Sequence, residues 1–394
     1  MINKYNYKYY NLLYSTKCFI IEILNVIFYF LYTNFKHLCG FTNNFTHDKN
    51  DLIIFCSYGY MPGNIKWNFN IDDGIGGSEY CIIKLAETMA KDKKVIVYCD
   101  CLSNYVNNNV QYIKTNLFDY SIYYENIILW RHPFIEWFLN YKNLILWIHD
   151  ASLLPVLDVL YNMKILPYFI NPQIKIVVPS QFMYEELIKY VFYKKIYKIN
   201  HGFQKYDKKK EALTRNKNTF IWHVNINRGL DILLNNFNSI LDRFPDSIIF
   251  ICGDRFAYNK QNHFINNELI LKYEKNIVYT NKLTHDKILE LLNKCDFFCY
   301  TCSVQESFSL CTWEAALNGC IPIVYDIGAI CEIKNVGGIV IENKNSELFI
   351  ETLLNLMQNE ERKEQIRNNI ITSITEKVKY RWDEVKVIWY EKVF

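Results

Sequence analysis

Short, mostly apolar runs alternate with segments in which apolar residues recur at helical spacing, and this pattern continues from residue 51 to the end of the chain. Near-continuous apolar runs are typical of strands that are covered on both faces, as in parallel sheets. The alternation therefore predicts an α/β fold. The predicted strands are residues 52–56, 94–98, 110–113, 127–130, 144–148, 174–178, 196–199, 220–224, 248–252, 277–279, 297–301 and 321–325.

The 394 residues, 51% of them hydrophobic, are enough for two domains, each with its own core. Residues 1–50 stand apart as an N-terminal hydrophobic helix and a polar linker. We expect a first α/β domain over 51–204, a charged linker over 205–217 and a second α/β domain over 218–394. The last helix of the chain is expected to cross back to the first domain.

Residues 12–32 form an apolar, aromatic stretch that Lys17, Glu22 and Asn25 interrupt. A helix that spans a bilayer needs about 20 mostly apolar residues, and charges near its centre are costly. Three alternatives stay open for this stretch: a weak membrane anchor, a helix at the membrane surface, or a helix that packs on the first domain.

Charge and cysteine content narrow the class of protein. The net charge of +3 is too small to indicate nucleic acid as a partner. The thirteen cysteines lie mostly inside apolar runs, which favours reduced, buried thiols in a cytoplasmic protein over a disulfide framework. Cys299 and Cys302 have the spacing of a zinc site, but no second pair follows, so core packing is the favoured interpretation.

Residues 296–324 contain the candidate chemistry, because their pattern predicts a strand, a turn, a helix and a second strand. Ser309 is a plausible N-cap, and the free N–H groups of such a helix start can hold a phosphate. Glu306 precedes the helix and Glu314 lies inside it, so one carboxylate could meet a sugar and the other a ribose. The structural alternative is that Glu306 only caps the helix and that Glu314 only faces solvent.

These residues carry a resemblance to a known family. Glu306-Ser307-Phe308-Ser309-Leu310, then Glu314-Ala315, Gly319 and Pro322, resemble the Glu-x7-Glu signature of retaining glycosyltransferases of the GT-B fold, family 4. The resemblance covers residues 51–394 and is more specific in the C-terminal half. It implies two Rossmann-like domains that face each other across a cleft. It also implies that Glu306 lies by the transferred sugar and that Glu314 binds the ribose of a nucleotide-sugar.

Two segments of the first half also resemble the family. Gly76-Gly77-x-Glu79 matches its glycine loop, which lies beside the donor phosphates, although a plain tight turn is the alternative. His149 and Asp150 follow a predicted buried strand, the place from which side chains reach a ligand crevice. The resemblance implies that His149 reaches the donor sugar and acceptor region, against the alternative of an imidazole bonded to neighbouring backbone. Asp150 would then orient His149 or act as a structural cap.

Asn227-Arg228-Gly229-Leu230-Asp231 resembles the family's basic segment, in which the cation binds the diphosphate. Most members carry two basic residues here, whereas Val224-Asn225 occupies the earlier position in this chain. The diphosphate would therefore depend on Arg228, with Arg255 as a substitute. Ser309 is a second departure, because the family usually has glycine there and a Cβ and hydroxyl would intrude beside the sugar phosphate.

The resemblance implies a hexosyltransferase-type enzyme that moves a sugar from a nucleotide-sugar to an acceptor hydroxyl, with retention. No metal or other cofactor is expected, and the acceptor would be a glycan, a lipid or a protein. The protein would be cytoplasmic, with or without membrane association through residues 12–32. The alternatives are a nucleotide-sugar epimerase and a non-catalytic nucleotide-sugar-binding protein. Catalytic roles are expected for Glu306 and His149, and donor-binding roles for Arg228, Phe308, Ser309, Leu310, Glu314, Gly76 and Gly77.

Overall fold

A computed structural model describes residues 51–394 except 57–74, 131–138, 152–153, 155–156, 159–161, 163–172, 192–194, 207–213, 253–266 and 281–282. Residues 1–50, which include the predicted hydrophobic helix and the 12–32 stretch, lie outside the described residues. The chain divides into two compact units. Of the described residues, the first unit comprises 51–56 and those within 80–200 and 382–394, and the second comprises 75–79 and those within 201–381.

The first unit is built on an eight-stranded sheet of order β3-β4-β2-β1-β5-β6-β7-β8, in which only the β3–β4 pair is antiparallel. Its strands are β1 (Leu52–Phe55), β2 (Val95–Cys99), β3 (Tyr105–Asn107), β4 (Val110–Lys114), β5 (Tyr123–Trp130), β6 (Asn140–Trp147), β7 (Lys175–Val178) and β8 (Lys195–Lys198). Its helices include α1 (Gly77–Met89), which begins in the segment grouped with the second unit, and α2 (Gln181–Val191). Every residue of β1 and β2 is buried, as a sheet covered on both faces requires.

The second unit is built on a six-stranded, wholly parallel sheet of order β11-β10-β9-β12-β13-β14. Its strands are β9 (Thr219–Trp222), β10 (Ile248–Cys252), β11 (Ile277–Thr280), β12 (Phe297–Tyr300), β13 (Ile321–Tyr325) and β14 (Ile339–Ile341). Its helices are α3 (Leu230–Asn235), α4 (Phe237–Leu241), α5 (Asn267–Lys272), α6 (His285–Lys294), α7 (Leu310–Leu317), α8 (Ser346–Met357) and α9 (Glu360–Lys377). Short 3₁₀ turns cover Thr115–Leu117, Gly328–Val336 and Glu342–Lys344.

The terminal helix α10 (Trp382–Lys392) belongs to the first unit, although it follows the second unit in the chain. Trp389 packs edge-on against Trp147 of β6, with ring centroids 5.3 Å apart. Lys175 donates a hydrogen bond to the carbonyl of Val393 at 2.5 Å. These contacts fix the end of the chain to the first sheet.

The strand order of the second unit determines where a ligand can bind. In chain order the sheet runs outward from β9 through β10 to β11, and then outward on the other side from β12 to β14. The order therefore reverses between β9 and β12, and in open parallel sheets ligands bind beyond the carboxyl ends of the two strands at such a point. His223 follows β9, and Thr301 follows β12.

The predicted α/β fold is confirmed, and twelve of the fourteen described strands lie close to the runs given above. A further strand, expected directly after Gly337-Gly338, is β14. The short strand β3 was not predicted, because its three residues are only partly buried at the sheet edge. Among the helices that the structure describes, none is long and apolar enough to cross a membrane.

Candidate functional site

The loop after β9 presents Arg228 at the edge where the strand order reverses. Gly229 has φ +106°, and a Cβ added there would lie 2.1 Å from the carbonyl oxygen of Thr301. Only glycine fits this position, since both its φ and its close contact exclude a side chain. The Thr301 hydroxyl donates to the carbonyl of Gly229 at 2.6 Å, so the loop is tied to the end of β12. Arg228 is therefore held beside the turn that follows β12.

Glu306 lies in that turn, and its backbone is fixed by a third segment. The amide of Ala329 donates to the carbonyl of Glu306 at 2.9 Å. Gly328 has φ +54°, and a Cβ there would lie 2.7 Å from the same carbonyl oxygen. The carboxylate is 11% exposed and pairs with the Arg228 guanidinium, whose side chain is 42% exposed. The structure thus brings together the predicted diphosphate-binding cation and the predicted sugar-binding carboxylate.

Tyr300, the last residue of β12, is a site residue that sequence reasoning missed. Its hydroxyl donates to Oε1 of Glu306 at 2.6 Å, and Arg228 Nη1 donates to the same oxygen. Burial and the neighbouring Glu306 raise the pKa of Tyr300 well above its usual value, so it keeps its proton. Burial works against the charged form of Arg228, but Glu306 and Tyr300 raise its pKa overall. The position of Tyr300 in the sequence could have identified it as a site residue, because it is the last residue of a strand that ends at the ligand-binding edge of the sheet.

The helix α7 begins directly after a strained residue. Ser309 has φ 59° and ψ 64°, in the left-handed region, and it is the N-cap residue of α7. Its side chain makes no capping hydrogen bond, and the hydroxyl instead contacts Thr312 Oγ1 at 2.8 Å and Cys311 Sγ at 3.4 Å. A glycine at this position, as the resembled family has, would carry no such strain.

Phe308 is 3% exposed and anchors the turn in the core. Its ring stacks on Trp313 of α7 with centroids 6.0 Å apart and meets His201 edge-on at 5.0 Å. His201 is buried, and burial lowers its pKa to about 3, so the imidazole is neutral. Leu310, the first residue of α7, is half-buried and packs against the core of the second unit.

Glu314 is buried inside α7, so the interpretation of a carboxylate that merely faces solvent is wrong. His285, the first residue of α6, places Nε2 2.8 Å from Glu314 Oε1. The amide of Gln204 donates to the same oxygen at 3.4 Å. A buried carboxylate needs such donors, because its desolvation is costly. His285 is a second neighbour of the site that sequence reasoning missed.

His223 follows β9 at the same edge of the sheet. Among the described residues, neither ring nitrogen has a hydrogen-bond partner, and both are shielded from solvent. Burial, and after it the nearby His285, lowers the pKa of His223 to about 3. The imidazole is therefore a neutral group that can give or accept a hydrogen bond beside the Arg228 loop.

In the first unit, His149 follows β6 and is 3% exposed. Its ring lies edge-on to Trp147, with centroids 4.2 Å apart, and to Trp130 at 5.7 Å. Asp150 is half-buried. The position after a buried strand agrees with the predicted ligand edge of this sheet, and the role of His149 stays a prediction.

Gly76 and Gly77 lie where helix α1 begins, and Gly77 is its first residue. Helix α1 is thirteen residues long and carries Glu79 in its first turn. Arg255 and His132 lie outside the described residues.

The cysteines of the described residues are free thiols and mostly buried. Cys299 and Cys302 are both fully buried, and burial raises the pKa of both thiols. Within the described part of the chain, no group of three or more His, Cys, Asp or Glu side chains is arranged to hold a metal ion.

Comparison with known proteins defines the class. Residues 203–372 match the family model described as "Glycosyl transferases group 1", and this segment lies within the second unit. No curated protein sequence matches the chain.

Three solved structures are similar to this chain over most of its length. Sucrose-phosphate synthase from Thermosynechococcus elongatus is 10% identical with a TM-score of 0.65, over 87% of this chain and 98% of that chain. WaaG, a glycosyltransferase involved in lipopolysaccharide biosynthesis, is 13% identical with a TM-score of 0.62, over 86% and 99%. Anabaena HepE in complex with UDP-glucose is 14% identical with a TM-score of 0.61, over 86% and 98%.

At these identities the likeness shows the fold, which is GT-B. Together with the family match in the second unit, it supports a nucleotide-sugar glycosyltransferase. The predicted fold class and the predicted glycosyltransferase class are confirmed, whereas retention and the family 4 subtype stay predictions.

Proposed function

We propose that this glycosyltransferase moves a sugar from a nucleotide-sugar to an acceptor hydroxyl with retention, in the manner of family 4. The observation that carries the proposal is the Arg228–Glu306 pair at the point where the sheet order reverses. The N-terminus of α7 begins four residues after Glu306. A fixed cation and a helix start together suit a diphosphate whose charge grows as the sugar leaves.

In this mechanism Arg228 and the first amides of α7 stabilise the departing diphosphate. Glu306 orients the transferred sugar and faces its developing positive charge, and Glu314 binds the ribose hydroxyls. His149 is assigned to the acceptor side of the reaction. Arg228 and the N-terminus of α7 offset part of the negative charge of the leaving group, and we expect turnover without a metal ion.

UDP is the donor nucleotide to test first, because the HepE structure of the same fold holds UDP-glucose. The acceptor would be a hydroxyl of a glycan, a lipid or a protein. The mostly buried cysteines of the described residues form no disulfide bond, which favours a cytoplasmic site of action, and residues 1–50 would decide any membrane association.

The experiment incubates the pure protein with UDP-, GDP- and ADP-sugars, each with and without a panel of acceptors, in buffer and in chelator. We expect transfer that survives chelator, and product NMR that shows the anomeric configuration of the donor. Isomerisation of the donor without acceptor would indicate an epimerase instead. Binding without transfer or hydrolysis would indicate a non-catalytic binding protein.

Glu314→Gln tests the ribose contact. Replacing a charged acceptor by an amide costs about 1.5–3 kcal/mol, so we expect nucleotide affinity to fall about tenfold or more in calorimetry. Glu351→Gln changes an exposed glutamate of α8 in the same unit and should leave the affinity unchanged. Equal affinity of Glu314→Gln and wild type would remove Glu314 from the donor site.

A further inference from the structure

We propose that Arg228 leaves Glu306 for the diphosphate when the donor binds, and that Tyr300 is the positioning residue that holds Glu306 while Arg228 is engaged elsewhere. This inference rests on the proposed function, because it concerns how the same site accepts its donor. It assigns to Tyr300 a role that neither the family match nor the motif provides.

The two donors compete for one oxygen. Tyr300 Oη lies 2.6 Å from Glu306 Oε1, and Arg228 Nη1 donates to that same atom. A guanidinium that is neutralised by a carboxylate has less charge to offer a phosphate. The pair must therefore weaken for Arg228 to bind the donor at full strength.

The three side chains differ in freedom. Tyr300 is fully buried, and its ring packs against Trp222 at 5.6 Å and Phe298 at 5.4 Å. The Glu306 side chain is 11% exposed, whereas that of Arg228 is 42% exposed. Tyr300 is thus a fixed donor behind the carboxylate, and Arg228 is a solvent-facing donor that can change partner.

The backbone on both sides is locked, so the exchange needs only side-chain rotation. Gly229 is tied to Thr301 by the 2.6 Å hydrogen bond, and the carbonyl of Glu306 accepts from Ala329 at 2.9 Å. Both contacts involve backbone that admits no added Cβ at Gly229 or at Gly328.

The exchange is favourable in free energy only if the Tyr300 hydroxyl keeps its hydrogen bond to Glu306. A nearly buried carboxylate that loses its one cation is left with a desolvation penalty unless another donor remains. The Tyr300 hydroxyl supplies that donor at every working pH, because burial and Glu306 raise its pKa. A diphosphate in turn offers Arg228 several oxygens for bidentate binding.

A double-mutant cycle tests the exchange. The measured quantity is the Kd by calorimetry for whichever of UDP, GDP and ADP binds the wild type most tightly. Tyr300→Phe removes only the hydroxyl, so Glu306 must keep Arg228, and we expect about tenfold weaker binding. Glu306→Gln frees Arg228 and should strengthen binding several-fold.

The decisive variant combines the two changes. In the Glu306→Gln background, Tyr300→Phe should change Kd less than about twofold, since no buried charge then needs the hydroxyl. A merely structural role of Tyr300 would weaken binding equally in both backgrounds and would overturn the inference. Tyr325→Phe is the matched control, because Tyr325 is also a buried residue at the end of a strand, β13, and its hydroxyl has no partner among the described residues.

The failures of the two proposals are distinguishable. If the wild type binds none of the three nucleotides, the proposed function is overturned and the exchange with it. If the nucleotide binds and the two substitutions are additive, the exchange alone is overturned and the donor site stands.

Discussion

The two ends of strand β12 carry ion-pair clusters of opposite character. At the amino end, Asp296 is 2% exposed and accepts from Lys363 and Arg367, each at 2.8 Å. The amide of Asn218 adds a third donor at 3.2 Å. Both carboxylate oxygens are thus occupied by buried partners.

At the carboxyl end, Glu306 has the partly exposed Arg228 and the Tyr300 hydroxyl on a single oxygen. Removing one partner from a buried, fully paired ion cluster is strongly destabilising, whereas losing a partly exposed pair changes stability little. The difference indicates that the Asp296 cluster fixes α9 to the sheet and that the Glu306 cluster is available to a ligand. The partners and the exposure of a carboxylate therefore indicate whether it is structural or binds a ligand, whereas its position near the end of a strand does not.

The largest expected effect is on stability at the Asp296 end. Asp296→Asn removes the buried carboxylate of this cluster and leaves Lys363 and Arg367 paired only with the exposed Glu360 and Glu364. Breaking such a buried cluster costs about 3–5 kcal/mol. Urea unfolding followed by circular dichroism measures the change. Asp246→Asn, which alters an exposed aspartate that contacts the Asn218 side chain, is the matched control and should stay within about 0.5 kcal/mol. A loss below about 1 kcal/mol for Asp296→Asn would erase the contrast between the two ends.

The next largest effect is on rate at the Glu306 end. Arg228→Ala should lower turnover about 10²- to 10³-fold, because the cation acts on charge that grows toward the transition state. Stability should change by less than about 1 kcal/mol, since the side chain is 42% exposed. Arg228→Lys should recover part of the rate, because the charge remains and the planar fork is lost.

Arg243→Ala, at an exposed arginine of the same unit, is the control for Arg228→Ala and should leave turnover unchanged. Undiminished turnover in Arg228→Ala would mean that another cation, such as Arg255, holds the diphosphate. A large loss of stability in Arg228→Ala would instead show that the Arg228–Glu306 pair is structural, like the ion pairs of Asp296.

Much of the fold was predictable from sequence, because short apolar runs such as residues 297–300, bounded by polar residues, favour strands covered on both faces. Edge structure was not predictable: the half-exposed β3 carries no such signal. The motif also located Glu306, Glu314 and Arg228 on their elements.

The partners of these residues were not predictable, because they come from segments far apart in the chain. In the sequence, Tyr300 is one of several aromatic residues of a predicted buried strand. Its hydroxyl reaches Glu306 because the residue lies at the end of β12. In the sequence, His285 is only a residue at the start of a predicted helix. The packing of α6 beside α7 brings its ring to Glu314. Sequence pattern therefore gave the positions of the site residues, and tertiary packing gave their contacts.

A third prediction concerns the pH dependence of stability near the carboxyl end of β12, where His201 packs on Phe308. Burial lowers the pKa of His201, beside Phe308, from 6.5 to about 3. The unfolded chain then binds the proton more tightly, so stability is present above pH 6.5 and is lost as pH falls toward 3. The loss from this residue alone reaches about 2 kcal/mol at about pH 5.

His201→Asn should remove that part of the acid sensitivity, because an amide does not titrate in this range. The measurement is the urea midpoint at a series of pH values between about 5 and 7, with the wild type over the same range as the comparison. An unchanged pH slope in His201→Asn would show that the imidazole is not desolvated in the folded protein.

The smallest effect is expected at Ser309. A residue other than glycine in the left-handed region costs about 1 kcal/mol, and the helix here gains no capping hydrogen bond in return. Ser309→Gly should therefore stabilise the second unit by about 1 kcal/mol at most, since the contact of its hydroxyl with Thr312 is lost at the same time. Ser309→Ala loses that contact and keeps the strain, so it should be less stable than the wild type. If Ser309→Gly is also destabilising, the hydroxyl contact outweighs the strain, and the serine belongs with the structural residues of the turn and not with the strained ligand end of the sheet.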